Sequence, residues 1–183
     1  MQRTYKEVNI RNATPEDAGQ LCAWWNDGAV MAHAGFPNGL HTTKEEVRRQ
    51  IEQDDEFTVR RHMIEYRQKP IGEMVYRKLE NGVCEIGIKI CEAKEQNKGL
   101  GKVILSLFID GLFHEFGYKK IVLDTNLNNK RAQHVYEQLG FQRVRVNEDS
   151  WKDQLGEWQS SVDYELTEEQ FVSWVVGKKD NVI

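Results

Sequence analysis

The sequence predicts a mixed α/β fold, and three observations predict it. Strand-like segments joined by short turns occupy the middle of the chain, at Phe57 to Tyr66, Ile71 to Leu79 and Val83 to Ile90. The hydrophobic period then changes, with Leu100, Val103, Ile104, Leu107, Phe108 and Leu112 at helical spacing on one stripe. Beyond that helix, strand and helix alternate to Leu166. A helix crossover makes its flanking strands parallel, whereas short turns leave theirs antiparallel, so the sheet has mixed direction.

The elements follow in order. Val8 to Arg11 reads as a first strand. Thr14, Pro15, Glu16 and Asp17 supply an N-cap, a proline at the first helical position and acids in the first turn. That helix runs to about Trp25 and stops at Asn26-Asp27-Gly28. His33 to His41, with Gly35, Pro37 and Gly39, is a loop. Thr43 to Glu46 offers a capping box for a second helix ending near Gln53. Gln68-Lys69-Pro70 and Asn81-Gly82 punctuate the meander, the second as a hairpin turn. Gly117 ends the long helix, and Ile121-Val122-Leu123 is a buried strand. Ala132, Val135, Tyr136 and Leu139 form another helical stripe, closed by Gly140. Phe141 to Val146 and Trp158 to Leu166 are the last strands, and Thr167 to Gln170 caps a short terminal helix. No repeat, low-complexity tract or linker divides the chain. Residues 1–176 are expected to form one domain, with 177–183 a frayed tail.

Composition sets limits. At 183 residues, one domain can bury a sizeable core. A net charge of -4 without a Lys/Arg block argues against nucleic acid as a partner and is compatible with a cationic amine. Cys22, Cys84 and Cys91 are odd in number and unpaired in spacing, which suits a reducing cytoplasm rather than a disulfide framework. Cys91 falls near the glycine turn discussed next. Residues 1–7 carry no apolar run of a secretory signal. Val103 to Ile109 is too short to span a membrane, which takes about 20 apolar residues. His33 and His41 lack a spacing that makes a metal site.

Gln96-Asn97-Lys98-Gly99-Leu100-Gly101-Lys102 joins a strand to an amphipathic helix. A helix start leaves backbone N–H groups unpaired and carries partial positive charge. Glycines allow a phosphate to approach that backbone, and Lys98 and Lys102 add charge. A Walker A loop is excluded, because Val103 follows Gly101-Lys102 and no glycine stands five residues before Gly101. A dinucleotide fingerprint is incomplete, because Ile104 stands where its third glycine belongs. Taken alone, the turn fits a pyrophosphate cradle and a plain strand-to-helix connection equally.

Its company separates the two. A strand, then Gln96-x-x-Gly99-x-Gly101, a long amphipathic helix and a further strand resemble the acetyl-CoA motif of the GNAT N-acetyltransferase superfamily. Asn129-Lys130-Arg131-Ala132 and Tyr136-Glu137-Gln138-Leu139-Gly140-Phe141 resemble its next signature. The resemblance covers nearly the whole chain. Glu85 to Ile88 and Trp24-Trp25-Asn26-Asp27 resemble the branch that acetylates ribosomal-protein N-termini, and its aminoglycoside- and polyamine-acetylating relatives. It implies a GNAT fold, with a mixed sheet of about six or seven strands, helices on its flanks and splayed parallel strands at the acetyl-CoA site.

Transfer from a thioester to an amine needs a route for the amine's proton, a donor for the oxyanion and an acid for the leaving thiolate. By resemblance, the pantetheine arm pairs with the backbone of Ile88, Lys89 and Ile90, and Gln96, Asn97, Lys98, Gly99, Leu100, Gly101 and Lys102 hold the pyrophosphate. Asn129 bonds the arm, and Tyr136 is the general acid beside the sulfur. A core aromatic is the competing reading of Tyr136. The base is open between Glu85, Asp124 and a water chain, and either acid also reads as an ordinary strand or turn carboxylate. Trp24, Trp25, His33, Phe36, Trp151 and Trp158 are acceptor-side candidates, with Trp24, Trp25, His33, Phe36 and Trp151 foremost. The expected activity is acetyl transfer from acetyl-CoA to a primary amine, without metal. A ribosomal-type protein N-terminus is the favoured acceptor, an aminoglycoside or polyamine the alternative, and the oligomeric state is a monomer or homodimer. A non-catalytic acyl-CoA sensor and a flavodoxin-like nucleotide-binding domain are the rivals from other classes.

Overall fold

The computed structural model describes residues 1–175, so the expected tail at 177–183 lies outside the described residues. One eight-stranded sheet runs through it in the order β1-β2-β3-β4-β5-β6-β8-β7. Its strands are β1 (Arg3–Tyr5), β2 (Val8–Asn12), β3 (Val59–Tyr66), β4 (Lys69–Lys78), β5 (Val83–Ile90), β6 (Lys120–Asn126), β7 (Gln142–Lys152) and β8 (Trp158–Thr167). The helices are α1 (Ala18–Trp25), α2 (Gly28–Met31), α3 (Lys44–Glu52), α4 (Leu100–His114) and α5 (Lys130–Gln138).

Alternation along β3 separates two cores, because successive side chains leave a strand on opposite faces. Ile64 joins the larger one with Ile104, Leu105, Phe108 and Leu112 of α4. Met63 joins the smaller one with Leu21, Trp24 and Trp25 of α1 and Val47 and Ile51 of α3. α3 begins with the expected capping box, Thr43 bonding the Glu46 backbone while the Glu46 carboxylate bonds Thr43 N–H. The sheet runs antiparallel throughout except at β5 and β6.

Four expectations are corrected. β1 is an eighth strand, a three-residue hairpin arm on β2 whose shortness leaves no periodic signal. The first helix begins as a 3-10 turn at Pro15–Asp17 before α1 starts. The expected His33-to-His41 loop begins inside a 3-10 turn at Ala32–Ala34, which α2 precedes unforeseen. The terminal helix after Thr167 is a single 3-10 turn, Glu168–Gln170, despite its capping box.

Candidate functional site

The crossover through α4 makes β5 and β6 parallel, but they pair only where Val83, Cys84 and Glu85 meet Lys120, Ile121 and Val122. Beyond Glu85 the strands part. β5 keeps β4 as its neighbour as far as Ile90, and β6 keeps β8 as far as Asn126. Each therefore presents an unpaired backbone edge to the gap, among the described residues. Backbone N–H and C=O groups seek partners, so such a gap is a site for an extended ligand.

A cavity of about 790 Å³ fills the gap and runs to the glycine turn. Ile88, Lys89, Ile90, Gln96, Asn97, Gly99, Leu100, Gly101, Lys102 and Asn129 line one part of it, and Asp124, Tyr136, His33 and Trp151 also face it. Sequence reasoning named all of these.

The turn is shaped for an anion. Gly99 is left-handed, with φ 76°, and stands as the N-cap of α4 without a side-chain capping bond. A Cβ at Gly99 would meet nothing within 4 Å, and one at Gly101 would only touch Val135 at 4.0 Å. Protein packing thus leaves open space over the first N–H groups of a 15-residue helix. The Gln96 amide donates to Ile90 O at 2.8 Å, tying the turn to the end of β5.

Arg131 was missed as a site residue, although it stands inside the Asn129-to-Ala132 signature. It lines the cavity and donates to Gln96 Oε1 at 3.0 Å and Asn97 Oδ1 at 3.4 Å, joining α5 to the turn. Asn129 is the N-cap of α5, its Oδ1 accepting from Ala132 N–H at 3.2 Å. Its amide nitrogen has no partner among the described residues. Lys102 stacks its ammonium 3.6 Å from the Trp174 ring centre.

Tyr136 is buried on α5, packed edge-on against Phe141 with ring centres 5.7 Å apart. Its hydroxyl makes no hydrogen bond among the described residues. Burial, then the charge of Asp124 and the neighbouring Tyr164, holds the phenol well above its ordinary pKa, so it stays protonated at neutral pH. Asp124 makes no ion pair among the described residues. Crowding by protein, then the negative charges of Glu85 and Asp163, raises its carboxyl above the usual range. Asp124 is exposed to solvent, so crowding counts for less than full burial would, and both charges push the same way.

Six expected residues lie off the cavity wall, among them Trp158, an exposed residue of β8 with the Lys152 ammonium 4.8 Å from its ring centre. Glu85 points to the same sheet face as Asp124 but pairs with Arg77 at 3.1 Å. Lys98 pairs with Glu95 at 2.9 Å. Trp24 and Trp25 are core residues, donating to Glu92 at 3.1 Å and to the buried Glu73 at 2.7 Å. Glu73 also holds Lys89 at 3.1 Å, fixing that cavity-lining ammonium. Phe36 lies within the 28–41 loop, outside the cavity lining, and is exposed. Cys91 is buried in the smaller core, which pushes its thiol pKa upward and keeps it unreactive. Among the described residues no three His, Cys, Asp or Glu side chains gather as for a metal ion, and no helix is long and apolar enough to cross a membrane.

Comparison with known proteins places this geometry. Residues 7–142 match the family model for the acetyltransferase (GNAT) domain. A spermidine N-acetyltransferase from Vibrio cholerae, solved with CoA and spermine, superposes with a TM-score of 0.78 at 20% identity, covering 90% of this chain and 97% of that one. A GNAT-family acetyltransferase from Bacillus anthracis gives 0.76 at 20%, covering 92% and 99%. The ribosomal L7/L12 alpha-N-protein acetyltransferase RimL, solved with coenzyme A, gives 0.79 at 14%, covering 90% and 96%.

Proposed function

Because the chain belongs to the GNAT acetyltransferase family and is an N-acetyltransferase, we propose that it carries acetyl from acetyl-CoA to a primary amine in the gap between β5 and β6. One observation carries the reading: the strands part after Glu85, and the opened cavity reaches from the glycine turn to Tyr136 and Asp124. Acetyl-CoA supplies the activated acyl group when bound.

The chain's own residues have these roles. Backbone N–H groups at the start of α4, with Arg131 and Lys102 nearby, hold the phosphates. The free edge of Ile88 to Ile90 pairs with the extended arm, and Asn129 offers it an amide donor. Tyr136, kept protonated by burial, hands its proton to the departing thiolate. Asp124 takes the acceptor's ammonium and draws off its proton, because a carboxyl with a raised pKa is the better base. Glu85 is paired with Arg77 and lies off the cavity wall, so its charge reaches Asp124 only partly offset and it does not touch the acceptor.

A peptide α-amine of the ribosomal-protein type is the first acceptor to try. It is supported by the Trp24-to-Asp27 segment, which anchors the 28–41 loop beside the cavity. A polyamine is the second reading, favoured by the negative row of Glu85, Asp124 and Asp163 on one sheet face. The site of action is the cytoplasm.

Thermal unfolding with acetyl-CoA, CoA, ATP and FMN tests the cofactor. At about 100 times its Kd, acetyl-CoA raises the midpoint by roughly 5–10 °C. No shift at saturation sinks the reading. Free-thiol release with a peptide and with spermidine then decides the acceptor, and binding without release under any amine points to a sensor instead.

A further inference from the structure

The acceptor end of the cavity is walled by two elements far apart in sequence. Ala29, Val30, His33 and Ala34 come from α2 and the turn after it, and Trp151 comes from the end of β7. Each element is ordered by itself. The 28–41 loop is closed by Leu40 N–H on Trp25 O at 2.8 Å and by a two-way exchange between the Asn26 side chain and the Thr42 backbone, at 2.8 and 2.9 Å. A side chain at Gly28 would strike Pro37 O, and one at Gly39 would strike the Asn26 carbonyl, so this loop folds back on itself closely. The β7–β8 turn is organised by Asp153, which accepts from the backbone of Leu155 at 2.9 Å and Glu157 at 3.0 Å and from the Gln159 side chain at 2.9 Å.

Gln154 joins the two. Its backbone N–H donates to Gly35 O at 2.8 Å. Its side-chain oxygen accepts from Asn38 N–H at 2.9 Å, and its side-chain nitrogen donates to Gly39 O at 3.0 Å. A side-chain amide satisfies one donor and one acceptor of a loop at once, as a strand neighbour would. Beside it the Trp151 ring lies on Gly35, where any Cβ would collide with it. The latch thereby fixes the distance between His33 and Trp151 across the acceptor end.

We propose that Gln154 is a positioning residue for the amine acceptor, holding the β7–β8 turn against the 28–41 loop so that the acceptor end of the cavity keeps one width. The inference rests on reading the cavity as the acetyl-transfer site. It makes no claim on acetyl-CoA, whose end of the cavity lies at the α4 turn.

The test compares wild type, Gln154→Ala, Gln154→Glu and Leu155→Ala, an exposed turn residue outside the latch. Free-thiol release is measured against a peptide with a free α-amine and against spermidine, varying the amine at saturating acetyl-CoA and then acetyl-CoA at saturating amine. Loss of the two side-chain bonds raises the acceptor KM about tenfold in Gln154→Ala. Its acetyl-CoA KM, its kcat and its melting midpoint stay close to wild type. Gln154→Glu keeps the acceptor for Asn38 but sets a carboxylate oxygen against Gly39 O, so its acceptor KM also rises. Leu155→Ala stays at wild-type values. An unchanged acceptor KM in both Gln154 variants overturns the inference while leaving the site intact. A rise in acetyl-CoA KM equal to that for the amine also overturns it, since a merely structural role acts on both. A wild type that binds acetyl-CoA but turns over neither amine overturns the underlying reading, and the inference with it.

Discussion

The α4 end of the cavity is made of backbone, and the acceptor end is made of side chains. At the first, a glycine turn, a helix start and an unpaired strand edge face open space, and the side chains nearby mainly brace that backbone, as Gln96 and Arg131 do. At the second, His33, Trp151 and Asp124 face the cavity from three separate elements, the first two of which Gln154 holds together. Backbone recognition suits a ligand that never changes. Side-chain recognition can be altered by a substitution in one loop without disturbing the sheet. The difference predicts that variants at the two ends separate cleanly in which substrate they affect.

Tyr136 lies between the ends, and its loss gives the largest effect. Tyr136→Phe removes a hydroxyl that bonds nothing among the described residues, so folding and acetyl-CoA affinity stay within about twofold. Turnover falls by about 100-fold, the low end for a general acid. Rapid measurement of kcat with binding measured separately checks the pair, and undiminished turnover removes Tyr136 as the acid.

The next effect tests the α4 end against its structural reading. Gly101 sits inside α4, where alanine is the better helix former and has room. Gly101→Ala should therefore raise the stability of the ligand-free protein, by about 0.5–1 kcal/mol. The same methyl fills the space over the turn and weakens acetyl-CoA about tenfold. Calorimetric binding and melting of one variant read both signs. A glycine kept only for the turn's geometry would show the stabilisation without the loss.

This contrast also explains what was legible in the sequence. The α4 end could be read because backbone motifs are contiguous: Gln96 to Lys102 and Asn129 to Tyr136 each lie within one turn or helix. Parallel β5 and β6 followed from the crossover, whereas their parting followed only from the family resemblance, which implied splayed strands, since no residue type marks where a ladder stops. Aromatic character misplaced Trp24 and Trp25, because a tryptophan that fills a core around Glu73 looks the same in sequence as one that lines a pocket. Gln154 carried no signal at all. Its three partners lie more than a hundred residues away, and an exposed glutamine in a turn has no periodicity to betray it.

At the acceptor end, Asp124→Asn has a smaller effect on turnover and a signed effect on stability. A carboxyl whose folded pKa is raised stabilises the fold most below its ordinary value of 3.8, and that contribution is lost as pH rises. At pH 7 the wild type therefore carries an unfavourable charge beside Glu85 and Asp163, and the amide relieves it. The melting midpoint of Asp124→Asn rises at pH 7, and the gain shrinks toward pH 4. The acceptor KM rises several-fold while acetyl-CoA binding is untouched. A variant that loses stability at pH 7 would show that Asp124 is held by a favourable partner.

The smallest effect on turnover comes from a residue belonging to neither end. His62 lies on β3, fully buried between Tyr76 and Phe108, with ring centres 5.8 and 5.1 Å away and neither ring nitrogen hydrogen-bonded among the described residues. Burial, then the positive N-terminus, pushes its pKa down to about 3 from 6.5. The unfolded chain consequently binds a proton that the folded one refuses between those values. Stability from this residue is present above 6.5 and drains away as pH falls toward 3, by up to about 1.4 kcal/mol per pH unit. His62→Phe keeps a ring of similar shape and removes two unsatisfied nitrogens. Denaturant melts of both proteins from pH 7 to pH 4 should diverge steadily on the acid side, the variant losing less, with equal kcat at pH 7. Parallel curves would mean that His62 finds a proton partner when charged. A changed kcat would mean that β3 transmits strain to the cavity, and the two ends could then no longer be treated as independent of the core beneath them.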